Sequence, residues 1–393
     1  MIKTVLGDTL LCAGCRACEQ VCAVHAISMV PSDEGFLYPH IDPETCVGCG
    51  RCRKVCPAHN QPEHRQPLEI YAAVHRDERI LTDSSSGGAF TALADLAFDK
   101  GGLAVGCVLD RDFRAKQVVV SDPQLLFECR GSKYVQSDTG NTFSAVKKVL
   151  DDGMFVFFSG TPCQVAGLKN FLGRDYENLL TADFICHGVP SPRLFEQHIH
   201  WLEEKNGRKI SRYRFRSKVG AASSNLYYYY YFLQSVKIVS GSAVLDPYYF
   251  AFLNAKTYRE CCYRCPYAEE KRVSDFTFAD YWSAERFHPE LAGSNGVSIL
   301  TFNTEKSLTY KGQIEESMKL IPSKLEWIKQ INFNLNQPAE RPACRDSIYR
   351  DIQKYGYARW ADAYCATLDW KLRNLFEKLP ARFRIWAKKL LKR

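Results

Sequence analysis

A cysteine pattern that occurs twice near the start limits this fold more than any other feature of the chain. Cys12, Cys15, Cys18 and Cys22 lie in "CAGCRACEQVC", and Cys46, Cys49, Cys52 and Cys56 in "CVGCGRCRKVCP". Both runs read C-x2-C-x2-C-x3-C. Three cysteines at that spacing wrap a loop around one face of a cubane, and the fourth, a helical turn later, points to the neighbouring cluster. Crossed ligation follows, with Cys12, Cys15, Cys18 and Cys56 on one 4Fe-4S cluster and Cys46, Cys49, Cys52 and Cys22 on the other. Zinc sites use C-x2-C pairs rather than runs of four. Gly14, Gly48 and Gly50 let the backbone approach the inorganic sulfides. The expectation is a ferredoxin-like α+β domain over residues 1–62.

The rest of the chain fits a reducing compartment. Seventeen cysteines in 393 residues, with 46% apolar composition, describe a globular protein too large to need a disulfide framework. The start "MIKTVLGDTLLCAGC" lacks a leader signature, and no run of eighteen apolar residues occurs, so a cytoplasmic protein is expected. Between Lys371 and Arg393, nine Lys or Arg residues face one acid, Glu377, and that excess equals the net charge of +8 for the whole chain. The body is therefore near neutral, which argues against nucleic-acid binding.

After a polar, Pro-rich linker ("PAHNQPEHRQPL"), short apolar runs alternate with amphipathic helices over residues 63–310. That alternation predicts an α/β domain with a mostly parallel sheet, ligands gathering at the carboxyl ends of its strands. A helical extension over 311–393 is expected to follow. Three loops of the body carry polar chemistry. "SSSGGAF", with Ser84, Ser85, Ser86, Gly87 and Gly88, is either a phosphate cradle at a helix start or an ordinary serine cap. "CRGSKYVQS" groups Arg130, Ser132, Lys133, Tyr134 and Gln136, and alone reads equally as a solvated turn. In "FFSGTPCQVAG", Thr161 and Pro162 open a helix whose dipole is expected to favour the Cys163 thiolate. Cys163 alone reads equally as redox nucleophile, cluster ligand or buried structural cysteine.

Its neighbours decide among those readings. Cys186 in "ICHGVPSP" ends the next strand, and "CCYRCPYA" offers Cys262 and Cys265, so Cys163, Cys186, Cys262 and Cys265 are expected to ligate a third 4Fe-4S cluster. Cys261 competes with Cys262, and Cys262 is preferred because it forms the C-x2-C pair.

In this order, "SSGGAFTALA", "GSKYVQS", "GTPCQVAGLKNFL", "ICHGVPSP", "CYRCPYA" and "RVSDFTFADYW" resemble the beta subunits of coenzyme F420 hydrogenases and dehydrogenases, with a two-cluster ferredoxin module in front. The resemblance runs over residues 8–300. It implies an oxidoreductase that binds FAD near a 4Fe-4S cluster, the flavin turning a two-electron hydride into single electrons for a ferredoxin wire. It further implies flavin or substrate contacts at Ser84 to Gly88 and at Arg130 to Gln136. Lys133 and His187 are the expected catalytic residues, Lys133 offsetting negative charge and His187 serving a cluster sulfur or moving a proton. Where relatives have Gly-Asp-aromatic-Trp-Gly, this chain has "ADYWS", with Ala279 and Ser283 in place of the glycines.

Expected partners are a redox protein or a small hydride carrier. The tail "DWKLRNLFEKLPARFRIWAKKLLKR" reads as an amphipathic helix broken near Pro380, and its place is the inner membrane face, an acidic partner, or solvent. Two other functions stay open: an electron-transfer subunit serving a partner reductase, or a thiol enzyme using Cys163.

Overall fold

The computed structural model describes residues 9–216, 218, 228–234, 237–379 and 383. Most of the basic tail, and Leu226 and Tyr227 at the start of the stretch "LYYYYYFL" with its five consecutive tyrosines, lie outside the described residues.

In the N-terminal module each cysteine run bends its chain sharply before its third cysteine. Arg16 (φ 59°) and Gly50 (φ 72°) occupy equivalent positions of the two runs, both left-handed, and start the short helices Ala17–Gln20 and Arg51–Lys54. Strands β1 (Ile27–Pro31) and β2 (Leu37–Ile41) form an antiparallel hairpin between the runs.

The body is built on eight strands: β3 (Glu69–His75), β4 (Leu103–Leu109), β5 (Ala115–Val120), β6 (Val156–Ser159), β7 (Leu179–Phe184), β11 (Phe276–Asp280), β12 (Ser298–Phe302) and β13 (Met318–Pro322). Their order is β13-β3-β12-β11-β7-β6-β4-β5. Only the central strands β4, β6, β7 and β11 pair in parallel, and the flanking pairs are all antiparallel. The expected mostly parallel sheet is thus a mixed one. Strands buried on both faces are apolar throughout, so composition carries no direction. Connection length decides it: no α-helix separates β11 from β12, and β4 turns into β5 within a few residues.

Side-chain alternation splits this sheet into two cores. Phe157 and Leu180 face the helix Ala89–Asp99, with Leu93, Leu96 and Phe302. Val156, Phe158 and Leu179 face the helices Thr142–Asp151 and Pro162–Leu172, and that core includes Cys15, Ala17 and Val55 of the N-terminal module. The module is therefore packed on the sheet's second face.

The boundary expected at 310 cuts through the sheet, because β13 pairs with β3. Beyond β13 the chain forms helices that include Arg345–Tyr355, Tyr357–Ala366 and Leu368–Glu377. These cover a three-stranded sheet of β8 (Ile210–Arg214), β9 (Tyr228–Leu233) and β10 (Lys237–Ser242). On that sheet Tyr213, Tyr229 and Tyr231 stack with interplanar angles of 6–7°.

Candidate functional site

The loops singled out in the sequence meet at the carboxyl edge of the central strands. β6 ends at Ser159 and passes through Gly160 into a helix capped by Thr161, whose backbone N–H donates to Gln164 Oε1 at 3.0 Å. Pro162 takes the first helical position and Cys163 the second. β7 lies beside β6, in register Ser159 with Ala182, and delivers Cys186 two residues past its end. Cys261 and Cys262 lie on the turn Glu260–Arg264, and Cys265 follows it.

All five thiols line a cavity of about 470 Å³, which also reaches Cys12, Cys15, Cys18 and Cys56 on one side and Ser84 to Ser86, Asp280 and Trp282 on the other. The partial exposure of Cys163 and Cys186 opens into this cavity.

The thiols fall into groups by mutual electrostatic influence. Burial pushes the Cys15 thiol well up, and Cys18, Cys56 and Cys12 push it further. Cys52 is raised by burial and then by Cys49, Cys22 and Cys46. Cys52 also raises Cys18 and Cys56, so the two sets are close to each other. In the body, burial, Cys163 and then Cys265 raise Cys186, while burial, Cys163 and Cys261 raise Cys265 to about 12. Among the described residues no three His, Cys, Asp or Glu side chains stand close enough to hold a single metal ion. A cubane asks its four thiolates to stand farther apart, around four irons.

Two expectations change here. Cys163 is pushed up to about 11, chiefly by burial, so desolvation outweighs the helix dipole and the thiol is protonated at neutral pH. A cluster ligand is deprotonated by the iron it binds. Second, Cys261 is not a bystander. It hydrogen-bonds Cys262 and lies near Cys163, Cys265 and Cys12, whereas Cys262 influences Tyr258, itself a neighbour of Cys186.

At the far end of the cavity, Gly87 and Gly88 (φ 87°) lead into the helix Ala89–Asp99. A Cβ at Gly87 would lie 2.2 Å from Ala73 O, so only glycine fits there. Ser85 Oγ accepts from Ser132 N–H at 2.8 Å, and Ser86 Oγ donates to Val297 O at 2.7 Å, so these hydroxyls join the loops to one another. Arg130 donates to Thr91 Oγ1 beside the helix start. Tyr134 stacks on Phe252 at 4.4 Å, and Gln136 donates to Ala13 O in the first cysteine loop.

Lys133 does not fit its expected catalytic part. Its ammonium donates to Glu128 O, Cys129 O and Arg130 O, which commits all three N–H groups to closing the turn before it. Burial also lowers its pKa to about 8. His187 lines the cavity and is lowered by desolvation, with Asp280 pulling in the opposite direction.

Sequence reading missed three cations. Arg216 donates to Asp280 Oδ2 at 2.7 Å and to Ser85 O, and lies over the Trp282 ring. Lys218 joins Leu81 O, Ser86 O and Asn295 O. Arg259 is wholly buried between the first cysteine loop and the body. Arg216 and Lys218 carry no local signal, but Arg259, two residues before a cysteine pair, could have been noticed. Ser283, which replaces a glycine of the resembled motif, holds a left-handed conformation at φ 53°, so the turn keeps a shape that glycine adopts freely.

Residues 70–143 match the N-terminal family, and residues 153–326 the C-terminal family, of the coenzyme F420 hydrogenase/dehydrogenase beta subunit. Residues 11–60 and 38–85 match 4Fe-4S dicluster domains. A search of curated proteins finds no match. Among solved structures, a chain of the xenon-derivatised F420-reducing NiFe hydrogenase complex from Methanosarcina barkeri aligns with a TM-score of 0.47 and 14% identity, over 69% of this chain and 90% of that one. With both halves of one family matched in order behind a dicluster module, the chain belongs to the coenzyme F420 hydrogenase/dehydrogenase beta subunit family, and is an iron-sulfur protein of oxidoreductase type.

Proposed function

We propose that this protein passes electrons between a hydride donor or acceptor, bound FAD and three 4Fe-4S clusters. One observation carries the reading: a single cavity joins the Ser84 to Gly88 end, the body thiols and the first ferredoxin quartet. FAD supplies the exchange between a two-electron hydride and single electrons. The first turn of the helix Ala89–Asp99 and Arg130 would hold its phosphates, and Arg216 and Lys218 would brace the loop beneath. His187 lines the cavity, where desolvation favours the neutral form of its ring. Cys163, Cys186, Cys262 and Cys265 are the proposed ligands of the third cluster, with Cys261 the alternative to Cys262.

The second ferredoxin quartet lies outside the cavity, with Cys49 exposed. Electrons would leave or enter there, through a protein redox partner. Leu368, Leu372 and Leu375 are exposed on the helix Leu368–Glu377 ahead of the basic tail, which supports contact between this end and an anionic membrane surface. Among the described residues no helix is long and apolar enough to cross a membrane.

Anaerobic purification tests the reading by yielding about twelve iron, twelve sulfide and one FAD per chain. Cys265→Ser should keep FAD and still be bleached by a hydride donor, yet lose about four iron atoms and fail to reduce the ferredoxin clusters. The same iron assay on Cys261→Ser and Cys262→Ser identifies the fourth ligand. An unchanged iron content in all three variants removes the third cluster.

A further inference from the structure

Arg259 is among the largest side chains buried completely in this protein, at 0% exposure. A guanidinium remains charged in any protein, and burying that charge is costly unless an anion faces it. Among the described residues, no ion pair with an Asp or Glu involves Arg259. The contrast with Arg345, also buried, is direct, since that side chain holds Glu34 at 2.6 Å and Glu260 at 3.0 Å. Arg259 donates instead to neutral acceptors: Nε to Cys12 O at 2.6 Å, Nη1 to Gln136 Oε1 at 3.0 Å and Nη2 to Leu37 O at 2.8 Å. Its flat faces lie on Tyr38 at 4.2 Å and Phe36 at 5.3 Å. The groups that face its charge are the thiols of Cys12 and Cys261, then the Tyr38 hydroxyl and the Cys262 thiol.

The fit is close. A Cβ on Gly14, whose φ is 69°, would come within 3.0 Å of Arg259 Nη1 and 2.7 Å of Gln136 Nε2. The first cysteine loop is thus pressed against this side chain, which also joins the ferredoxin hairpin to the turn carrying the body cysteines.

We infer that Arg259 is a shared counter-charge for two clusters, the ferredoxin one on Cys12, Cys15, Cys18 and Cys56 and the one in the body. This rests on the ligand sets proposed above. Each cluster gains one electron on reduction and no proton, so its charge becomes more negative by one. A fixed cation in a low-dielectric gap stabilises the reduced form of both and raises both potentials. Arg259 is a positioning residue, acting through the clusters without touching a substrate.

The test is an anaerobic redox titration followed by electron paramagnetic resonance, with iron measured on each sample. A wild-type protein with only eight iron atoms defeats the ligand reading before the inference is reached. With twelve present, Arg259→Gln should lower the potentials of the inner two clusters and leave the outer one, on Cys22, Cys46, Cys49 and Cys52, where it was. Arg259→Lys should restore most of the shift. Unchanged inner potentials in a fully loaded Arg259→Gln protein overturn the proposal. So does an Arg259→Lys protein that falls as far as Arg259→Gln. Should Arg259→Gln fail to load iron, Gln136→Glu sets a carboxylate against the same guanidinium, and the inner potentials must then fall or the inference is wrong.

Discussion

Asp95, half-buried on the helix Ala89–Asp99, shows how one residue feels the site. Burial raises its carboxyl to about 6, with Arg130 pulling it down and Asp99 pushing it up. Because the folded pKa lies above the unfolded value, the native state binds the extra proton. Its stabilising effect is complete below about pH 4 and is lost as pH climbs through about 6. Asp95→Asn should therefore be the more stable protein at pH 8, by about 1–2 kcal/mol after allowance for partial exposure. The gap should narrow below pH 6 and close toward pH 4, as read from anaerobic urea midpoints at a series of pH values. Nothing in "TALADLAFD" announces this, since a lone Asp in an amphipathic helix reads as a solvated one. The partners of Lys133 escaped the sequence for a related reason: spacing identifies a cation but not the carbonyls that occupy its donors.

The elements that carry cysteines are held by a polar network beneath them. Arg272, 2% exposed, pairs with the fully buried Asp183 at 2.8 Å and donates to Tyr267 O and Glu269 O, fastening the loop after Cys265 to β7. Thr277 Oγ1 donates to the same carboxylate. Asp183→Ala would leave the guanidinium buried and unpaired, a loss of roughly 3–5 kcal/mol in chemical denaturation. A double change, Asp183→Ala with Arg272→Met, should recover much of it. At this scale the sequence was informative wherever a motif bound chain direction to chemistry. "FFSGTPC" specified strand, turn, cap and cysteine, and the adjacency of β6 and β7 brought Cys186 alongside. It was silent on β13, whose "MKLIP" is too short and too mixed to distinguish an edge strand from the helices around it.

Across the whole molecule, the two ferredoxin quartets have unlike surroundings although their cysteine runs match in spacing. Cys12, Cys15, Cys18 and Cys56 are buried, with Cys15 packed against Gly167 of the body and Cys15 O accepting from Thr139 Oγ1. Cys49 is exposed, Val47 beside it is 69% exposed, and Arg51, Arg53 and Lys54 stand around them at the surface. No reading of either run alone distinguishes them, because the difference comes from the sheet face against which only one is packed. That asymmetry dictates an order of dismantling. With the three proposed clusters loaded, dissolved oxygen should meet the outer one first, so brief exposure to air should strip about a third of the iron in an early, separate phase, with the remainder leaving much later. Iron release followed by chelator absorbance measures this directly. A protein damaged in that sequence would keep its inner chemistry intact while being cut off from its partner, like a lamp whose filament outlasts its plug.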